Sequence, residues 1–238
     1  MERVGGCKVY SRFTATRPDG TVMKLRVQDM PPDRLEDVIA LQNKHFLEDE
    51  PIHRATGLYR NPEAIGEYKA IFLGLAEETP PHIVICCEDT TDEVGVLIGA
   101  SVMTEATHMV DLTKIPTHTK EVKKLFQMGI NTFYTYDACA KHNVDKFFDD
   151  VFIVVHTNYR RLGIARELVK TRRVACRDHN VPLAVAWMSA LGTQKAGEAD
   201  GWETVMEASY DEMAKKYDLI FDNAPPTSKL MIAWANKN

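Results

Sequence analysis

Three short stretches of this 238-residue chain hold side chains whose types and spacing could do chemistry. In the first, the apolar run Val151-Phe152-Ile153-Val154-Val155 breaks into His156-Thr157-Asn158-Tyr159-Arg160-Arg161-Leu162-Gly163-Ile164-Ala165-Arg166 and restarts with helical periodicity. This pattern predicts a strand feeding a helix through a basic turn. The first turn of a helix has backbone N–H groups without intrahelical partners and the positive end of the macrodipole, so Arg160 to Arg166 could cradle a phosphate or pyrophosphate. The second stretch is Glu48-Asp49-Glu50, expected at the C-terminal end of a helix just before Pro51. A helix C-terminus disfavours carboxylates, so three acids stacked there need a functional reason. The third is Ser189 and Thr193, whose separation of four puts both hydroxyls on one face of an expected helix.

The elements that must position these groups follow from periodicity. Residues 7–15 read as an irregular or short extended arm, and Arg17-Pro18-Asp19-Gly20 as a turn. Met23-Lys24-Leu25-Arg26-Val27 alternates as a half-buried strand does. Pro31-Pro32-Asp33 opens a helix with a stripe of Leu35, Val38, Ile39, Leu41 and Phe46 that ends near Pro51, and Asn61-Pro62-Glu63 opens a second through Leu75. Residues 82–88 and 94–103 flank a polar loop and predict an antiparallel hairpin. Helical spacing runs over 119–142, a strand over 148–155, a long helix over 162–179, and a short buried strand of parallel type over 182–187. These last three make one right-handed βαβ unit. A short helix at 190–199 and strands at 201–206 and 228–235 complete one domain over 1–238, with 1–20 as an N-terminal arm.

Composition narrows the function. With 45% hydrophobic residues the chain can bury one good core, and 29 Lys plus Arg against 34 Asp plus Glu give a net charge of −5. That balance points away from nucleic acid and mildly toward a cationic substrate. The five cysteines are odd in number, and Cys86 and Cys87 sit in a strand-like run where neighbours face opposite sides, so free thiols in a reducing compartment are expected. No CxxC or HExxH spacing predicts a zinc site. The first residues lack the apolar core of a signal peptide and no run approaches membrane-spanning length, so a soluble cytoplasmic monomer is expected.

The turn also carries a resemblance. Arg160-Arg161-Leu162-Gly163-Ile164-Ala165 after a hydrophobic strand resembles the acetyl-CoA signature of the GNAT superfamily of N-acyltransferases. From Lys24 onward the order of elements resembles that fold too: an α/β mixed sheet of six to seven strands flanked by helices, with one parallel, splayed strand pair. The resemblance implies acetyl-CoA as co-substrate, its pantetheine inserted in the gap between the splayed strands as an extra strand would be. It also implies cofactor contacts from Val154, Val155, Arg160, Arg161, Leu162, Gly163, Ile164, Ala165, Arg166 and Ser189.

Phe46-Leu47-Glu48-Asp49-Glu50-Pro51 is similar to the substrate loop of the insect arylalkylamine N-acetyltransferases. An alkyl ammonium has a pKa near ~10, so acyl transfer to an amine gains from a base, whereas a thiol of pKa about 8.5 leaves without a dedicated acid. The resemblance implies Glu50 as general base through water and Ser189 and Thr193 in place of the family's two serines; from the residues themselves, Phe46, Tyr59 and Tyr68 could line an amine pocket, with Asp49 beside the amine. A backbone N–H near Val155 is expected to hold the oxyanion. Many GNAT enzymes carry a tyrosine acid between positions 189 and 201; this chain has none there, which leaves the acid unassigned. The implied substrates are small arylalkylamines of the dopamine, serotonin, octopamine and tryptamine type. A polyamine or agmatine, with a second cation held by Glu48, Asp49 and Glu50, is the alternative, and a non-catalytic acyl-CoA-binding module the third reading.

Overall fold

The computed structural model describes residues 2–91 and 93–236. In chain order the elements are β1 (Arg3–Val4), β2 (Cys7–Thr16), β3 (Val22–Asp29), α1 (Leu35–His45), α2 (Pro51–Thr56), α3 (Pro62–Glu78), β4 (His82–Glu88), β5 (Gly99–Ala106), α4 (Lys120–Met128), α5 (Ala138–His142), β6 (Phe147–Val155), α6 (Ile164–Asp178), β7 (Leu183–Met188), α7 (Leu191–Ala199), β8 (Glu203–Ser209), α8 (Tyr210–Tyr217) and β9 (Thr227–Trp234). The strands form one mixed sheet in the order β1-β2-β3-β4-β5-β6-β7-β9-β8. It has nine strands rather than the expected six or seven, because the N-terminal residues read as an arm pair along β3 from Val9↔Gln28 to Thr16↔Val22. Their alternation is weak because Ala15 is the one fully buried residue in β2.

One pair of strands is parallel. β6 and β7 pair at Phe148↔Ala184 and Asp149↔Val185 and then separate, although β6 runs on to Val155 and β7 to Met188. Against β5 the register jumps between Val102↔Phe152 and Met103↔Asp150, so Val151 is an extra residue in β6. Such a bulge bends its strand, here where β6 leaves β7. The expected splay is therefore present, and its cause is local.

The sheet is covered on both faces. α1 and α3 bring Val38, Ile39, Leu41 and Phe72 onto Ile83, Ile85, Val102, Phe152 and Val154. α6 brings Ile164, Leu168, Val169 and Cys176 to the other face, against Cys86, Ile98, Phe148 and Ala184. Apolar burial at roughly 25 cal/mol per Å2 makes this sandwich the scaffold that holds the gap open.

Three expected elements differ and one is new. Pro51 does not stop the first helix: α1 ends at His45, and Pro51 is the first residue of α2 with Glu50 as its N-cap. Proline suits that position because its missing N–H has no intrahelical partner to lose. Residues 94–98 are a loop rather than the start of β5; Arg34 donates to the carbonyls of Val94 and Gly95, and Arg26 to those of Thr91 and Glu93. The helix expected over 119–142 breaks into α4, a π-turn at Gly129–Phe133 and α5. Gly129 lets Leu112 pack closely at this break: a Cβ there would lie 2.6 Å from Leu112 Cδ1. α8 is additional, capped by the Ser209 hydroxyl accepting from Glu212 N–H at 3.3 Å. No helix among the described residues is long and apolar enough to cross a membrane.

Candidate active site

The gap between β6 and β7 opens into one continuous cleft of about 1480 Å3. Small-molecule sites commonly enclose about 300–1,000 Å3, so this one has room for two ligands side by side. Its ends are chemically different. The basic turn lines one end, and Phe46, Glu50, His53, Tyr68, Tyr134 and Asp149 line the other.

At the turn, Arg161 (φ +64°) and Gly163 (φ +80°) adopt the left-handed conformation that lets the chain reverse into α6. Gly163 is the N-cap of α6 and offers no side chain, so the first N–H groups of the helix face the cleft uncapped. Arg161 and Arg166 are exposed and form no ion pair among the described residues. Arg160 is committed elsewhere. Its guanidinium pairs with Asp49 at 2.8 Å and donates to His45 O at 2.7 Å and Val155 O at 3.2 Å. It straps the loop before α2 to the end of β6. Leu162 turns its side chain down into the core beside Ile164 and Leu168. His156 stacks on His45 with ring centroids 3.9 Å apart, and burial first, then nearby Lys44 and Arg160, lowers its pKa.

The β6 backbone beyond the splay is oriented by its register. His156 N–H donates to Ile98 O of the β5 side at 2.8 Å. Peptide groups alternate edges along a strand, so Val155 N–H points the opposite way, into the gap left by β7.

At the other end, Glu50 is 6% exposed and its extended backbone (φ −72°, ψ 125°) caps α2. One oxygen carries every hydrogen bond. Oε2 accepts from Ile52 N–H at 3.0 Å, His53 N–H at 2.8 Å and His53 Nδ1–H at 2.5 Å. Oε1 is buried with no hydrogen-bond partner among the described residues. Burial alone pushes this carboxyl up; attraction to His53, hydrogen bonding from that residue and the nearby Ser189 hydroxyl outweigh it and hold the pKa below its ordinary value. The Ser189 hydroxyl is thus near enough to favour the charged carboxylate. The acids stand at a helix N-terminus and not at a C-terminus, which removes the electrostatic anomaly expected from sequence and makes Glu50 an easily ionised group.

Ser189 and Thr193 both line the cleft, yet not as one helical face. Ala190 is the N-cap of α7, which leaves Ser189 outside the helix. The Thr193 hydroxyl donates to Ala190 O at 2.9 Å. Ser189 is fixed from its backbone, where its carbonyl accepts from Tyr210 Oη–H at 2.8 Å. Phe46 lies edge-on to His53 at 5.1 Å. Tyr59 does not line the cleft: its ring packs under the Arg60 guanidinium and its hydroxyl accepts from Arg60 Nε at 2.6 Å. Tyr68, nine residues further along and carried on α3, lines it instead. Glu48 is exposed and Asp49 is spent on Arg160, so neither faces the cleft interior as a free carboxylate.

Several groups escaped the sequence reading. His53 bridges Glu50 and Tyr68, with Nε2 3.1 Å from Tyr68 Oη. Its Glu-x-x-His spacing was visible, but only with the helix start at Pro51 does it read as a contact. Asp149 and Asp150 sit at the splay point. Asp150 pairs with the buried Arg172. Burial first, then Asp150, pushes the Asp149 carboxyl up to about 7. Tyr210 arrives on the unexpected α8, although Ser209-Tyr210-Asp211-Glu212 is a capping-box pattern.

No protein-family model matches the chain, and no curated protein matches it. Solved structures do. A protein assigned as an arylalkylamine N-acetyltransferase 7 from the yellow fever mosquito Aedes aegypti superposes with a TM-score of 0.83 at 22% identity, over 99% of this chain and 98% of that one. Arylalkylamine N-acetyltransferase 2 from the same mosquito gives 0.72 at 17% identity over 89% and 99%. A Drosophila melanogaster polyamine N-acetyltransferase, which catalyses formation of N-acetylagmatine, gives 0.68 at 13% over 88% and 99%. At these identities the likeness is one of architecture, and it agrees with the parallel splayed pair seen here: this chain has the GNAT N-acetyltransferase fold.

Proposed function

We propose that this protein is an acetyl-CoA-dependent N-acetyltransferase acting on the primary amine of a small arylalkylamine, with Glu50 as general base. The observation that carries the reading is the divided carboxylate of Glu50, a residue that lines the cleft: Oε2 is saturated by three donors while Oε1 is buried and has no hydrogen-bond partner among the described residues. An unsatisfied buried carboxylate oxygen costs free energy unless a ligand or water completes it.

The residues at the other end fit acetyl-CoA. The uncapped N-terminus of α6 with Arg161 and Arg166 suits a pyrophosphate, and the unpaired edge of β6 suits an extended amide chain. Bound there, acetyl-CoA supplies an acyl thioester. Glu50 Oε1 then accepts the proton of the incoming ammonium, through one water or directly. Val155 N–H, pointing into the gap, donates to the oxygen that becomes negative as the amine adds to the carbonyl; collapse of that adduct breaks the carbon–sulfur bond, CoA leaves as its thiolate, and the proton shed by the new amide nitrogen goes to the thiolate through water. Ser189 keeps a hydroxyl beside Glu50, and Trp187 Nε1–H, donating to Phe133 O at 2.8 Å, fixes an apolar wall that excludes water. The aromatic lining from Phe46, Tyr68, Phe133 and Tyr134 favours an aryl group on the amine.

Asp149 favours a second reading. Its carboxyl has no side-chain hydrogen-bond partner among the described residues and stands in the same cleft, where a second cation would ionise it. A polyamine or agmatine would provide that cation, in place of the acids expected from sequence. Steady-state rates with acetyl-CoA and a panel of tyramine, tryptamine, phenethylamine, putrescine and agmatine separate the two. Higher kcat/KM for the aryl amines supports the first reading, higher kcat/KM for the dications the second, and no turnover with any amine removes both.

A further inference from the structure

The Glu50 carboxylate is aimed by more than its backbone cap. Two amides on one oxygen still allow the group to pivot about its side-chain torsions. Nδ1 of His53, three residues on, closes a third hydrogen bond at 2.5 Å to the same oxygen. The imidazole is itself clamped. Phe46 meets it edge-on at 5.1 Å, Tyr68 at 5.2 Å, and Tyr68 Oη lies 3.1 Å from Nε2. Because an ionised carboxylate has only lone pairs to offer, Nδ1 must be the donor toward Glu50. In the neutral ring Nε2 then accepts from the Tyr68 O–H, and in the charged ring Nε2–H donates to the Tyr68 oxygen. Burial pushes the Tyr68 phenol up, so its proton stays in place.

We propose that His53 is the positioning residue of the base: it holds Glu50 Oε2, turns Oε1 to the cleft and, pinned by Tyr68, keeps one N–H on the carboxylate. The proposal rests on the reading of Glu50 as base. Nothing in a plain helix cap requires it, since Asp, Ser or Thr caps a helix without a histidine three residues later. The other ionisable groups facing this pair are Tyr68 from α3, Asp149 and Asp150 from β6 with Arg172 of α6 behind Asp150, Tyr210 from α8, and the Asp49–Arg160 pair on the preceding loop.

The consequence is a specific pH dependence. In the native protein burial and His53 pull the Glu50 carboxyl in opposite directions, and His53 prevails. Without it burial acts with less opposition, so the carboxylate must gain its proton at higher pH and the base is lost earlier on acidification.

The test is the pH profile of kcat/KM for the best amine in wild type, His53→Asn, His53→Ala and Tyr68→Phe. Asparagine keeps an amide N–H near the Nδ1 position without the ring's charge. The acid limb is expected lowest in wild type, intermediate in His53→Asn and highest in His53→Ala, with the last displaced by about one unit or more, a tenfold loss on the acid side. Tyr68→Phe leaves Nδ1–H in place and is expected to move the limb less than His53→Asn. Repeating the series in an Asp149→Asn background keeps that carboxyl from supplying the limb. Acid limbs that coincide in wild type, His53→Asn and His53→Ala overturn the proposal, even if rates fall. If His53→Ala does not fold, His53→Asn against wild type decides alone. Glu50→Gln separates the two failures. Wild-type rates in Glu50→Gln remove the base reading and this inference with it, whereas a Glu50→Gln loss beside unmoved His53 limbs removes only the role of His53.

Discussion

At the β6–α6 turn the candidate ligand contacts come from consecutive residues, largely exposed to water, with left-handed backbone at Arg161 and Gly163 and no ion pair on Arg161 or Arg166 among the described residues. At the Glu50 end they come from five separate places in the chain: the α2 cap, α3, β6, the end of β7 and α8. There the groups are enclosed and Glu50 and His53 are tied by hydrogen bonds. The difference follows from what each end must do. A polyphosphate is bound by charges and amides that work in water, and local sequence is enough to build them. A base must be desolvated and aimed, and only packed neighbours from elsewhere in the chain can do that.

Glu50→Gln is the largest break available. It keeps shape and removes proton acceptance, so kcat/KM is expected to fall by about 10^2- to 10^4-fold while the Kd for CoA stays within twofold. Steady-state kinetics and calorimetry read the two numbers. A parallel loss of CoA affinity would mean that the two ends do not act separately.

Next in size is a contrast inside the carboxylate end. Glu50 has a lowered pKa, so it contributes stability that is present above the ordinary carboxylate pKa and lost as pH falls through its folded value. Asp149 is raised to about 7, and the sign reverses: its contribution is full below the unfolded pKa near ~4 and is lost as pH rises through about 7. The Asp149 contribution to the unfolding free energy of the ligand-free protein is therefore expected to decline between about pH 4 and 7, by at most about 1.4 kcal/mol per pH unit, against an opposite contribution from His82, whose pKa burial lowers to about 4; denaturant titrations at each pH should show that component as the difference between wild type and Asp149→Asn. Superimposable pH profiles for wild type and Asp149→Asn would show that this carboxyl is not enclosed as described.

The same contrast explains what could be read from the chain before its fold. The turn, the parallel β6–α6–β7 unit and the long α6 are local patterns, and all three are present as expected, whereas the splay was expected only from the resemblance to the GNAT fold. Glu50 was found among three neighbouring acids, but its helix end was reversed, because a proline is compatible with stopping one helix or starting the next. His53 and Tyr68 become partners only when α2 packs on α3, fifteen residues apart in sequence. Asp149 looked like part of an ordinary strand; its chemistry arises from the bulge at Val151 and the departure of β7. The edge strand β2 was missed for the opposite reason: its half-exposed faces supply little hydrophobic alternation.

Arg160 tests whether the ends are separate at all, since its side chain reaches from the turn to the loop before Glu50, pairing with Asp49 and donating to His45 O. Arg160→Ala removes that pair and two carbonyl contacts at once. It is expected to weaken CoA binding and lower kcat/KM for the amine by roughly tenfold each, because the loop that precedes Glu50 loses its anchor. Arg161→Ala serves as the reference. Its guanidinium is exposed and unpaired, so a fewfold loss of CoA affinity of about 1 kcal/mol or less is expected, shrinking further at high salt, with the amine kinetics unchanged at saturating acetyl-CoA. If both substitutions touch only CoA binding, the strap transmits nothing and the cleft is two independent sites. If Arg160→Ala alone moves the amine parameters, the loop carrying the base is positioned from the cofactor end, and occupancy of one site prepares the other.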